Sequence, residues 1–356
     1  MIMGRDYGLT GAEGRLALER GLTSAEWYAS PIARKRMKEL MRRSDQPALR
    51  DTAIWLGAMA LCGGLGAWFW GSWVAAPFFL CYGVLYGSAS DSRWHECGHG
   101  TAFRTPWMND VVYHLASFMI MREPTVWRWS HARHHTDTLI VGRDPEIVAM
   151  RPPRLARILA NFFGLVDVPV AFHRMTLHAG GRLTADETTF IPEPERPKVF
   201  RIARVWLAVY GGTAAACFAM GSILPAMFVG LPRLYGAWHH VLCGLTQHAG
   251  LAEDTLDHRL NSRTVYLNPV SRFVYWNMNY HVEHHMFPMV PYHALPALHE
   301  EMRADCPPAY DGLWAAYREI VPAVLRQLRD PTHFVRRTLP AGSAAAPPAP
   351  VAATAA

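Results

Sequence analysis

The chain has 356 residues, 51% of them hydrophobic and only 18% charged, with a net charge of +6 and a mean hydropathy of +0.01. Charged residues fall short of the ~25% of an ordinary soluble domain, yet the mean hydropathy is far from that of a chain apolar throughout, so the apolar residues must lie in blocks. Bulk disorder, collagen and coiled coil are excluded, and six scattered cysteines without a CxxC pair argue against a disulfide scaffold, a zinc ribbon or an iron–sulfur cluster.

Residues 1–50 form a basic segment, in which Arg34, Lys35, Arg36, Lys38, Arg42, Arg43 and Arg50 outnumber Glu39 and Asp45 near its end. Residues 52–90 then run for 39 positions without an Asp, Glu, Lys or Arg. A helix of that length is roughly 58 Å, close to two crossings of a ~30 Å hydrocarbon core. Gly71-Ser72, flanked by Trp70 and Trp73, supplies a turn and an aromatic belt, so a transmembrane hairpin of about 52–70 and 73–90 is expected. Gly63, Gly64 and Gly66 lie inside that hairpin and read as helix packing. The segments 111–121 and 155–172 are apolar but short or interrupted, which fits interfacial or half-buried helices. Pro192, Pro194 and Pro197 mark a linker.

A second block, 205–252, holds Arg233 as its only charged residue and predicts a second hairpin over about 205–250. Arg233 either snorkels at an interface or lines a polar cavity. The fold expected is all-α: four transmembrane helices in two hairpins, with a cap built from 91–204 and 253–305. A C-terminal helical segment (306–339) and a disordered tail (340–356) follow. The positive-inside rule places both termini, the cap and the site in the cytoplasm. The basic surface suits an anionic leaflet or an acidic protein; no nucleic-acid partner is expected.

Three histidine clusters sit where the chain re-enters the cytoplasm: His95-Glu96-Cys97-Gly98-His99, His131-Ala132-Arg133-His134-His135 and His281-Val282-Glu283-His284-His285. On a helix, residues three and four apart share a face, so each cluster can aim its imidazoles one way. Eight nitrogen ligands are too many for one tetrahedral metal and about right for two. Imidazole suits zinc, copper, iron and nickel alike. HECGH also fits a zinc-protease pattern with Glu96 as general base, but such an enzyme has no use for the six histidines of the other clusters. A non-catalytic metal binder or transporter is disfavoured because the histidines cluster outside the spans.

The HxxxH box at 95–99, the HxxHH boxes at 131–135 and 281–285, and the phrases HECGHGTAF (95–103) and NYHVEHHMFP (279–288) resemble the integral-membrane fatty acid desaturase and hydroxylase superfamily, closest to its acyl-lipid desaturase branch. The resemblance spans roughly residues 50–305. It implies a non-haem di-iron site at the cytoplasmic surface that uses O2 to desaturate a fatty acyl chain. It also implies a ninth ligand near the end of the fourth span, matched here by His248 in GLTQHAG. Relatives in the superfamily hydroxylate alkanes, oxidise carotenoids or act on small polar molecules. The first box has three intervening residues, unlike the acyl-CoA type, and the third begins with His281 where front-end desaturases carry Gln. No HPGG haem signature appears, so two electrons per turnover are expected from a separate ferredoxin or cytochrome b5-like carrier. Metal-bound histidines usually donate their other N–H to a carboxylate or carbonyl, and Glu96, Glu283 and Asp144 are the expected partners.

Overall fold

The computed structural model describes residues 5–23 and 26–343. Most of the expected disordered tail, residues 344–356, lies outside them. The architecture is all-α, and among the described residues pairing of extended backbone is limited to two isolated bridges, Thr264–Tyr280 and Val265–Tyr310.

The first hairpin starts earlier than the charge-free run implies. Its first helix, Asp45–Trp68, opens in the basic segment, where Asp45 accepts from Thr105 N–H and Oγ1 at 2.8 Å each. Gly71, at φ +89°, turns the chain into Ala75–Val84. That helix passes through a five-residue π turn, Leu85–Ala89, into Ser90–Gly98, which carries the first box. The wider turn marks a local break of the kind found beside functional sites. Here its carbonyls take side-chain partners: Trp55 Nε1 donates to Leu85 O at 2.8 Å, and Arg233 donates to Gly87 O at 2.9 Å.

The second hairpin departs from a simple pair of spans. Arg196–Met220 is a 25-residue helix closed by Gly221 at φ +57°. The returning arm is broken into Leu224–Phe228, Pro232–Gly236 and Trp238–His248. Pro225, Gly230 (φ +93°) and Pro232 interrupt it: proline removes an N–H donor and clashes with the preceding turn. Among the described residues, only the helical stretch Glu193–Met220 is by itself long and apolar enough to cross a membrane. Arg233 does not snorkel. It is 1% exposed and reaches Gly87 O, His240 Nδ1 (3.3 Å) and Asp167 (3.4 Å), in the wall of a cavity.

Between the hairpins, Pro106–Met119 packs on the first-box helix, and Asp167–Ala179 packs on Arg196–Met220. Phe118 stacks on Tyr210 at 5.2 Å, joining these layers. The N-terminal segment is docked rather than loose, since Ala17 and Leu22 pack with Ile140 and Leu256 and Tyr28 N–H bonds Leu256 O. Arg93, fully buried, ties the first hairpin to the approach of the third box. Its guanidinium lies about 5 Å from the rings of Trp55, Phe273 and Trp276 and donates to Ala89 O and Val274 O.

Glycines set how closely the hairpins meet. A Cβ on Gly236 would lie 1.8 Å from Gly83 O, and one on Gly87 would lie 2.9 Å from Pro232 O. Gly63 and Gly66 pack against the Tyr82, Phe228 and Phe79 rings as helix-packing positions should, whereas Gly64 faces open space. Gly236→Ala, which forces backbone against backbone, is expected to cost about 3 kcal/mol. Gly64→Ala, free of contacts, should be neutral or stabilising by up to about 1 kcal/mol. Thermal unfolding of both variants in detergent checks the pair, and equal midpoints would contradict this packing.

Candidate metal centre

The three boxes ride on three separate helices. His95 and His99 lie four apart at the end of Ser90–Gly98, and so on one face. The second box closes Pro124–Thr136, a helix started by Pro124 and capped by the Glu123 carboxylate on Val126 N–H at 2.6 Å. The third occupies the short helix His281–Met286, and His248 ends Trp238–His248.

Side-chain nitrogens of His95, His99, His131, His135 and His284 lie within 4.8 Å of one another, as do those of His134, His248 and His285. His281 joins the second group, its Nε2 being 2.9 Å from His248 Nε2 and 3.0 Å from His285 Nε2. The groups adjoin, with His135 and His285 rings 4.5 Å apart. All nine histidines anticipated from the sequence therefore meet in one buried place. His239 and His240 stay outside the cluster, His239 near Ser271 Oγ (3.2 Å) and His240 beside Arg233.

Whether a metal fits here is decided by where the ring protons sit. His248 Nδ1 is 2.8 Å from the carbonyl oxygen of Asn261, which can only accept, so Nδ1 carries the proton and Nε2 of the neutral ring is a bare lone pair. Asp144 on His134 Nδ1 (2.8 Å) and Glu146 on His131 Nδ1 (3.0 Å) impose the same tautomer. Yet the Nε2 atoms approach each other: His99–His131 at 3.1 Å, His131–His135 at 3.2 Å and His135–His284 at 3.2 Å. Nitrogens that close must share either a proton or a cation, and the rings whose Nδ1 proton is already committed offer only a lone pair to it. The donor set fits two metal ions, one per group.

Burial, reinforced by neighbouring imidazoles, pushes His95, His99, His135, His281, His284 and His285 well below the usual histidine range, which leaves them neutral and ready to ligate. His134 differs. Burial pulls it down too, but the charge and hydrogen bond of Asp144 outweigh that and raise it to about 9.

Of the carboxylates expected behind the ligands, Asp144 sits on a box histidine; Glu96 and Glu283 do not. Glu96 Oε1 accepts from Thr101 Oγ1 (2.7 Å) and Tyr292 N–H (3.0 Å), its Oε2 bonds nothing, and burial raises it to about 7. Glu283 bonds His299 Nδ1 and Thr264 Oγ1. Glu146, Asn261 O and Thr138 Oγ1 (3.2 Å from His285 Nδ1) were not foreseen. Glu146 was within reach of the sequence: it follows Asp144 by two residues in GRDPE.

A cavity of about 540 Å³ opens beside the cluster, bordered by His95, His131, His134, His248 and His281. The profile of the family described as "Fatty acid desaturase" matches residues 70–317, which contain all nine histidines. The chain belongs to the fatty acid desaturase family. Similar proteins within it include an omega-3 fatty acid desaturase, chloroplastic, of Ricinus communis, 26% identical over 71% of this chain and 58% of the relative. An sn-2 acyl-lipid omega-3 desaturase (ferredoxin), chloroplastic, of Arabidopsis thaliana is 25% identical over 69% of this chain and 58% of its own length. An acyl-lipid omega-3 desaturase (cytochrome b5), endoplasmic reticulum, also of Arabidopsis thaliana, is 24% identical over 76% and 70%. The chain thus spans about six-tenths of the first two relatives.

A metal entering the second group must displace the His134 proton. Affinity is therefore expected to climb with pH by one proton per site up to about 9 and then level off. Asp144→Asn should flatten that climb and weaken binding about 10–100-fold. Chelator-competition titrations across pH check both, and an unchanged slope in the variant would contradict the assignment.

Proposed function

We propose that this chain is an integral-membrane, O2-dependent di-iron oxidoreductase that introduces a double bond into a fatty acyl chain, with electrons supplied by a separate carrier. The carrying observation is the meeting of nine imidazoles in two adjoining groups. His95, His99, His131, His135 and His284 would hold one iron; His134, His248, His281 and His285 would hold the other. Asp144 and Glu146 fix the orientation of His134 and His131 and place negative charge behind those two rings. Bound iron would supply the O2-activating chemistry that removes hydrogen from an unactivated methylene. The protein's part is to hold that methylene beside the rings and to exclude water. Met121, Val126, Met175 and Leu245 give the neighbouring cavity its apolar lining.

Four spans in two hairpins, with both termini and the site cytoplasmic, is the membrane arrangement that goes with this reading. It is supported by the basic approach to the first hairpin and by apolar tips left uncovered, with Trp73 93% and Phe218 88% exposed. The broken returning arm of the second hairpin is compatible with it, because irregular backbone is tolerated at membrane depth where it is packed in protein or borders a cavity. A lipid substrate and a ferredoxin or cytochrome b5 carrier are supported by the names of the plant relatives.

A second reading keeps the site and changes the substrate to a molecule with a polar group. It is favoured by charge in the cavity wall, where Arg122 pairs with Asp91 at 2.7 Å and Arg233 with Asp167 at 3.4 Å. A plain alkyl chain gains nothing from such neighbours.

Lipid profiling of an expressing host separates the two. The acyl reading expects wild-type protein to raise acyl unsaturation, and His134→Ala or His284→Ala to abolish the change. Unaltered lipids from a metal-loaded wild-type protein would contradict that reading and favour the polar substrate.

A further inference from the structure

One buried histidine beside the cluster has no part in the ligand set. His258 opens the short helix His258–Asn261, and its ring stacks face to face on Trp27, with centroids 4.3 Å apart and planes 6° from parallel. It also neighbours His285, at 5.1 Å and 32°. Trp27 is half-buried, while His258 is 3% exposed and His285 3%, so the three rings step inward from the surface to the second histidine group.

The column is held rigidly. Trp27 Nε1 donates to Thr136 O, at the end of the helix carrying the second box. Tyr28, the next residue, donates its N–H to Leu256 O and lies under the Arg259 guanidinium at 3.4 Å. Arg259 in turn pairs with the fully buried Asp257 at 2.8 Å. The far end of the same helix supplies Asn261 O to His248. One strut therefore presents a flat ring to Trp27 and orients a proposed ligand. Neither Trp27 nor His258 borders the cavity, whereas Trp94, which lies near His95 and His131, and Trp127, which packs edge-on against Trp94, both do.

We propose that Trp27 and His258 are the electron entry of this site, a stacked pair that couples a docked one-electron carrier to His285. The proposal rests on the di-iron desaturase reading. Each turnover takes one O2, two electrons delivered singly and two protons; with the two hydrogens removed from the substrate these form two waters and one carbon–carbon double bond. The electrons come from a reduced iron–sulfur or haem protein. Tunnelling weakens steeply across gaps and is favoured through packed π-systems, so the stack provides a route to the metals separate from the substrate's path.

The test follows reduction of the ferric, metal-loaded protein in detergent, by reduced [2Fe–2S] ferredoxin or reduced cytochrome b5 and, separately, by dithionite. Trp27→Ala is expected to slow carrier-driven reduction by about tenfold, equivalent to about 1.4 kcal/mol in the barrier. Iron content and the dithionite rate should stay unchanged, and Trp27→Phe, which keeps a flat ring, should recover most of the loss. If Trp27→Ala loses iron, Trp27→Leu, which fills space without a π-system, takes its place and should show the same selective slowing. Carrier-driven reduction at the wild-type rate in the Ala or Leu variant overturns the proposal, as does a loss that dithionite shares. Wild-type protein that binds no iron, or whose iron neither carrier reduces, overturns the di-iron reading itself.

Discussion

Everything in this fold answers to one electrostatic problem, the gathering of nine imidazoles whose ring nitrogens approach to about 3 Å away from water. No part of the chain would adopt that arrangement for its own stability. It is held by Asp144, Glu146, Asn261 O and Thr138, which engage four Nδ1 atoms, and by helix spacing, which aims the rings of each box the same way. Cations at the two foci would convert the crowding of the metal-free cluster into binding energy.

The scaffold can hold such a site because its own contacts are stiff. The hairpins touch through Gly83, Gly87 and Gly236, where backbone meets backbone and no rotamer change can absorb a shift. Arg93, wedged among three aromatic rings, joins the end of the first hairpin to the segment before the third box. The π turn at Leu85–Ala89 supplies carbonyls to Trp55 and Arg233, so a local irregularity becomes a junction between both hairpins.

Much of this was legible in the sequence. Box spacing marked eight of the nine clustered histidines by helix geometry alone, and the resemblance to known desaturases added His248, which no local pattern marks. Glu96 and Glu283 misled because proximity in sequence was taken for proximity in space. Successive residues turn about 100° around a helix, so Glu96 diverges from His95, and Glu283, two residues past His281, faces nearly the other way. Asn261 was invisible because its backbone carbonyl acts, and backbone carbonyls leave no trace in residue type. The returning arm of the second hairpin was expected as one helix. Pro225 and Pro232 announced breaks, but how the pieces re-pack depends on Gly83 and Arg233 contacts across the fold.

The central claim is that two irons share this pocket. Elemental analysis of purified protein, with Mössbauer spectra of material loaded with enriched iron, tests it most directly. The account predicts two irons per chain, with no stoichiometric zinc and nitrogen-rich coordination. One zinc per chain without iron would contradict it.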